Sequence, residues 1–166
     1  DAGFDGKVYP INPSAERIAN LLSYRDVTLL THVPDLAVVA IPAAAVPDAV
    51  AAAAVFGIKN FVILSAGFRE TGAEGAAREK TLTELARKHG LNILGPNCLG
   101  FLSTAGKVNA TFGRHTEREG NVLFLSLSGA IATSLLDWAE HASVGIRELV
   151  TLGNKSVLSE NDILNH

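Results

Sequence analysis

The chain has 166 residues, 48% hydrophobic and 19% charged, a balance that suits a globular core and excludes a disordered tail. Its formal net charge of −3 leaves no electrostatic footprint for nucleic acid and no basic patch for a membrane surface. A single cysteine, Cys98, excludes an internal disulfide and fits a reducing, cytoplasmic compartment. One Cys and five scattered His give no metal-ligand spacing, so no metal is expected. The opening residues carry no signal-peptide pattern, and the alanine runs at 43–45 and 51–54 are too short to span a bilayer.

In chain order, residues 7–11 predict a short strand ended by Asn12-Pro13. Ser14 is placed to cap a helix over residues 15–22. Residues 36–41 (LAVVAI) are uniformly apolar, as in a strand covered on both faces, and Pro42 stops them. Pro47 suits a first helical turn, and the helix runs through 48–56 to Gly57. Residues 60–64 (NFVIL) predict the next strand, 65–75 a glycine-bearing loop, and 76–89 a helix with Leu82, Leu85 and Ala86 on one stripe. Residues 91–94 complete strand–helix–strand–helix–strand, which argues for a parallel sheet with helices on both faces.

The pattern then breaks. Residues 95–120 are turn-rich and mixed, and 114–120, charged and polar, predict an interdomain linker. Residues 121–126 start a new strand that runs into Ser128-Gly129 and a helix over 130–142, followed by a strand over 146–152. Glu160 and Asp162 sit at a solvated helix start. The expected organisation is α/β throughout: a Rossmann-like domain over 1–113, a linker over 114–120, and the opening of a second α/β domain over 121–166. A Rossmann-like unit normally opens with a strand, a glycine-rich turn and a helix that receives phosphate. No G-x-G-x-x-G precedes the first strand here, so an opening βα unit is expected to be missing.

Four segments can carry chemistry. Ala40-Ile41-Pro42-Ala43 lies at the carboxyl end of a parallel strand, where open α/β sheets bind ligands, although a proline there is also a plain strand terminator. Ser65-Ala66-Gly67-Phe68 follows the next strand at the same edge, and Gly67 permits close backbone approach or serves an ordinary βα turn. Gly95-Pro96-Asn97-Cys98-Leu99-Gly100 follows the third, displaying Asn97 and Cys98. Asn97 both donates and accepts hydrogen bonds. Cys98 has no histidine partner readable from sequence and is expected to be structural rather than a nucleophile. Ser126-Leu127-Ser128-Gly129-Ala130 joins a strand to a helix, which is the form of an anion site and equally of a plain N-cap by Ser128. It lacks the G-x-S-x-G of an esterase elbow. His89 and His141, near helix C-termini, have a sufficient role there in meeting the dipole; His115 falls in the linker.

Taken together, V-Y-P-I-N-P at 8–13, D-L-A-V-V-A-I-P-A at 35–43, V-P-D-A-V at 46–50, S-A-G-F-R-E-T-G at 65–72, G-P-N-C-L-G at 95–100, N-A-T-F at 109–112, S-x-S-G-A at 126–130, L-D-W-A at 136–139 and L-G-N-K at 152–155 occur in this order. The set resembles the nucleoside-diphosphate-forming acyl-CoA synthetases, which include ADP-forming acetate–CoA ligase and are similar to the succinyl-CoA synthetase α subunit. The resemblance implies the reaction acid + CoA + ATP ⇌ acyl-CoA + ADP + phosphate, through an acyl phosphate and a phosphohistidine. It implies that the second α/β domain, over 121–166, is flavodoxin-like. It implies coenzyme A at Pro10, Asn12, Pro13, Ile41, Pro42, Ala43, Ser65, Ala66, Gly67 and Phe68. It places Asn97 and Cys98 toward the acyl and phosphate end, and Ser126, Ser128, Gly129 and Ala130 at the phosphate or phosphohistidine.

None of the five histidines has the family's H-T-G context, so the phosphorylated histidine, with the ATP-grasp part that binds ATP/ADP and Mg2+, is expected outside this segment. Leu127 stands where relatives carry a polar residue, usually glutamine, and residues 156–158 replace a stretch that is often acidic. The implied partners are small molecules (CoA, phosphate, a carboxylic acid) and the ATP-grasp domain or subunit, in an oligomer without nucleic acid or membrane. The segment alone is expected not to turn over. The alternative is an acyl-CoA-sensing regulatory domain of a protein lysine acetyltransferase; an NAD-binding domain is disfavoured by the missing G-x-G-x-x-G.

Overall fold

In a computed structural model that describes residues 3–113 and 118–165, the stretch expected as a helix over 15–22 is instead an antiparallel hairpin of β1 (Arg17–Ile18) and β2 (Leu21–Leu22). Asn12 Oδ1 takes the N–H groups of Ser14 and Ala15 at 2.9 Å each, turning the chain ahead of the hairpin. Ala19 and Asn20 then adopt positive φ, 47° and 66°, as a two-residue hairpin turn requires, and a helix this short has little stability of its own to resist. Residues 7–11 form no strand ladder. Ile11 makes one parallel bridge to Tyr24, flanked by Asn12 N–H to Tyr24 O (2.8 Å) and Tyr24 N–H to Pro10 O (2.9 Å).

Three apolar runs build the first sheet as expected. β3 (Leu36–Val39), β4 (Asn60–Ile63) and β5 (Asn92–Leu94) lie side by side in that order, all parallel. The crossovers are α1 (Val46–Phe56), with Pro47 in its first turn, and α2 (Ala73–His89), which starts three residues earlier than its periodicity indicates. Arg87, Lys88 and His89 close α2, where positive charge meets the helix dipole.

Both helices cover one face of the sheet, correcting the expectation of helices on both. The strand order advances in one direction, so two crossovers of the usual right-handed sense land on the same side. Val46, Val50 and Ala53 of α1 and Leu82 and Ala86 of α2 share a core with Phe61, Ile63 and Ile93. The opposite face, through Val62 and Leu94, packs on Val150 and Leu152 of a second sheet.

The second sheet claims part of the stretch read as turn-rich. β6 (Gly100–Ser103) and β7 (Val108–Thr111) form a hairpin, followed by β8 (Val122–Ser126), α3 (Gly129–His141) and β9 (Ile146–Thr151). The order is β7-β6-β9-β8, with β8 and β9 parallel and β6 antiparallel to both of its neighbours. Of the expected linker, residues 114–117, including His115, lie outside the described residues. α3 buries Ala132, Leu136 and Ala139 against Leu99, Leu102, Ile146 and Leu149. His141 closes it, its Nδ1 2.7 Å from Asp137 O.

After β9 the chain folds back along β5. The N–H groups of Ser156 and Leu158 donate to Gly95 O and Ile93 O, both at 3.2 Å. α4 (Glu160–Leu164) then begins on a capping box of Ser159 and Asp162. Among the described residues, no helix is long and apolar enough to cross a membrane, and no group of His, Cys, Asp or Glu could hold a metal ion.

Candidate functional site

Parallel strands present their carboxyl ends at one sheet edge, and three of the four singled-out loops meet there through direct bonds. Ser65 Oγ donates to Ile41 O at 2.6 Å, tying the loop after β4 to the loop after β3. Asn97 N–H donates to Ser65 O at 2.9 Å, tying in the loop after β5. Gly67 lies against Ala43 with φ of 109°; a Cβ there would stand 2.8 Å from the Ala43 Cβ, so only glycine allows both the turn and the approach. Gly95 has the same role after the neighbouring strand, where a Cβ would come within 2.5 Å of Ile63 O.

The fourth loop joins from the second sheet. Leu152 N–H donates to Ser126 O at 2.9 Å, and Leu99 lies so close to Gly129 that a Cβ there would be 3.3 Å from the Leu99 Cβ. Ser128 caps α3, its side chain accepting from Ile131 N–H at 3.4 Å, while Ser126 Oγ accepts the N–H of Ser128 at 3.0 Å. Leu127, between them, is 56% exposed. Among the described residues, the hydrogen bonds of the stretch holding Pro10, Asn12 and Pro13 go to Ser23, Tyr24 and its own turn.

Two expectations for the third loop separate. Asn97 is exposed and displayed, as read. Cys98 is not: it is 4% exposed, its thiol donates to Ile63 O at 3.3 Å, and burial pushes its pKa up to about 11. A thiol so held is protonated at neutral pH and is a packing element, not a nucleophile.

The groups that hold the edge in place were not singled out from sequence. Glu70 Oε1 accepts the N–H groups of Gly67 (2.6 Å) and Phe68 (3.0 Å). Partial burial pushes this carboxyl up, but donation from the Asn154 amide and from Phe68 and Gly67 N–H outweighs it and holds the pKa at about 2. Arg78 Nη1 donates to Gly67 O while its Nη2 pairs with Glu74 at 2.8 Å. Beneath, Glu79 is 6% exposed and accepts from Arg69 N–H (3.2 Å) and Asn154 Nδ2 (2.8 Å). A sequence signal for Glu79 existed: it lies on the stripe of α2 that also holds Leu82 and Ala86, and an acid at a core position of a helix calls for a buried partner.

This arrangement decides what the edge can hold. The N–H groups of Gly67 and Phe68 are spent on Glu70, so residues 65–68 are no anion cradle. Ile41, 37% exposed, with Pro42 and Ala43 beside the open backbone at Ala66, offers an apolar ledge suited to a flat base or an aliphatic arm. Negative charge is favoured instead at the N-terminus of α3, over Gly129 and Ala130.

A two-sheet α/β chain with its loops gathered in this way defines a class. Residues 3–104 match the family described as CoA binding domain, and residues 119–166 the family described as succinyl-CoA ligase like flavodoxin domain. The chain belongs to the CoA binding domain family, joined to a succinyl-CoA ligase-like segment, and the resemblance to nucleoside-diphosphate-forming acyl-CoA synthetases read from the motifs is borne out. It is 40% identical over 163 residues to acetate–CoA ligase (ADP-forming) I of Archaeoglobus fulgidus, a match covering 98% of this chain and 24% of that protein. It is 37% identical over 164 residues to 4-hydroxybutyrate–CoA ligase (ADP-forming) of Nitrosopumilus maritimus, covering 98% of this chain and 24% of that one. The structure matches that of acetyl-coenzyme A synthetase 1 from Ca. Korarchaeum cryptofilum, solved with phosphate and ADP, with a TM-score of 0.94 at 36% identity, over 99% of this chain and 35% of the other. The chain thus spans about a quarter of the length of these curated relatives.

Proposed function

We propose that this chain is the coenzyme A-binding part of an ADP-forming acyl-CoA synthetase. The observation that carries the reading is the bonded run from Ile41 O through Ser65 Oγ, and from Ser65 O to Asn97 N–H, at 2.6 and 2.9 Å, which gathers the loops after three successive strands into one edge. In this reading Ile41, Pro42 and Ala43 receive the nucleotide face of coenzyme A, and Ser65, Ala66 and Gly67 line the start of its pantetheine arm, while Phe68, fully buried in the core of the first sheet, anchors the loop from beneath. Asn97, exposed beside them, points the way to the acyl end. Ser126, Ser128, Gly129 and Ala130 stand where a phosphate or phosphohistidine meets a helix N-terminus. Pro10, Asn12 and Pro13, bonded to a separate segment, reach the ligand only as an outer wall.

The residues fit the base and the aliphatic arm better than the phosphates, since Glu70 has taken the nearest loop N–H groups. When bound, coenzyme A supplies the thiol that accepts the acyl group; this chain's residues bind and orient it. ATP or ADP with Mg2+, the phosphorylated histidine and the carboxylic acid belong to the remainder of the enzyme, which includes the ATP-grasp unit as domain or subunit and works in the cytoplasm. We also propose that the functional division falls between residues 1–113 and 121–166, with the β6–β7 hairpin handed across to the second sheet. The relatives' names, all ligases or synthases, support synthesis over an acyl-CoA-sensing role. Calorimetric titration of the intact protein with CoA, acetyl-CoA and NAD tests the reading. CoA binding with no NAD binding is expected; NAD binding without CoA would overturn it.

A further inference from the structure

We propose that Asn154 is a positioning residue for coenzyme A, setting the loop at residues 65–68 from the far sheet through Glu70; this rests on the proposed function. Asn154 leaves the second sheet just after β9 and is 7% exposed. Its Nδ2 donates to Glu70 Oε2 at 2.7 Å and to Glu79 Oε2 at 2.8 Å, and its Oδ1 accepts from Asn97 Nδ2 at 3.2 Å. Its backbone N–H donates to Pro96 O at 2.8 Å, and its carbonyl accepts from Arg69 Nη2. Two donors and one acceptor on a single planar group are what a carboxamide has, and all three are used. The opposite oxygen of Glu70 holds the N–H groups of Gly67 and Phe68. One amide therefore fixes the carboxylate that shapes the loop after β4 and, on its other side, the Asn97 side chain after β5. The second sheet reports its position to the coenzyme A edge through this contact.

The test uses the intact protein and CoA itself. Asn154→Ala is expected to weaken CoA binding about tenfold and to speed hydrogen exchange at the Gly67 and Phe68 amides. Leu136→Ala, in the α3 core and away from the edge, supplies a matched loss of thermal stability; its CoA affinity and those two amides are expected to stay as in wild type. Asn154→Asp sets a third carboxylate against Glu70 and Glu79, with Arg69 the facing cation, and is expected to weaken CoA more than Asn154→Ala. Adding Glu70→Gln turns the facing atom into a donor while keeping an acceptor for Gly67 and Phe68, and is expected to recover some of that loss. Wild-type CoA affinity in Asn154→Ala, or equal weakening in Leu136→Ala, would overturn the positioning role alone. A wild-type protein that does not bind CoA would overturn the functional reading beneath it.

Discussion

Replacing Glu79 with alanine tests the energetic account of the site's foundation. The carboxylate is 6% exposed and takes Asn154 Nδ2 at 2.8 Å and Arg69 N–H at 3.2 Å, with Arg69 Nη1 at 3.5 Å. The Arg69 side chain is 57% exposed, so the ion pair itself contributes about 0–1 kcal/mol. The two hydrogen bonds to a charged acceptor contribute about 1.5–3 kcal/mol each, reduced because Asn154 keeps its bond to Glu70. The expected loss for Glu79→Ala is about 3 kcal/mol, a fall of about 6–12 °C in Tm for a domain of this size. Thermal unfolding measures it, with Lys80→Ala as the control. Lys80 is exposed and only 3.9 Å from Glu84, so its removal is expected to change stability by less than about 0.5 kcal/mol. Glu79→Gln can keep its amide oxygen at the Oε2 position, where both Arg69 N–H and Asn154 Nδ2 donate, and sets its new NH2 only against the exposed Arg69 guanidinium, so a smaller loss than for Glu79→Ala is expected. A Glu79→Ala loss below about 1 kcal/mol would refute the reasoning.

Cys98 is expected to resist iodoacetamide at pH 7.4 in the native protein and to react fully once unfolded, as followed by intact mass; rapid native alkylation would contradict its burial and raised pKa. The Glu70 pKa is depressed from 4.5 to about 2, so its stabilising contribution is present above pH 4.5 and is lost as pH falls toward 2. Glu70→Gln is expected to flatten that region of the stability–pH curve, and an unchanged slope would contradict the assignment. Gly67→Ala forces positive φ and a 2.8 Å contact on Ala43, and is expected to cost about 1–3 kcal/mol in urea unfolding while weakening CoA binding.

The features legible in sequence are those governed by local rules. The apolar runs of β3, β4 and β5, Pro47 in the first turn of α1, and Ser128 as a cap each act within a few residues of themselves. The features that were not legible depend on distant partners. The β6–β7 hairpin has four-residue strands with little apolar character, and it is stabilised by pairing with β9, whose Val150 lies opposite Phe101. The hairpin at 17–22 rests on positive φ at Ala19 and Asn20 and on the pairing of two-residue strands, neither of which the residue pattern over 15–22 announces. The loops at 41–43, 65–68 and 95–98 were legible as the ends of parallel strands. The Glu70–Asn154–Glu79 network beneath them was not, because its members come from a turn, a helix and the exit of a different sheet.

Hydrogen exchange with and without CoA addresses the binding edge most directly. Protection on adding CoA is predicted at residues 41–43 and 65–68, with the amides of α4 unchanged. Protection that bypasses both loops and appears elsewhere on the chain would contradict the account.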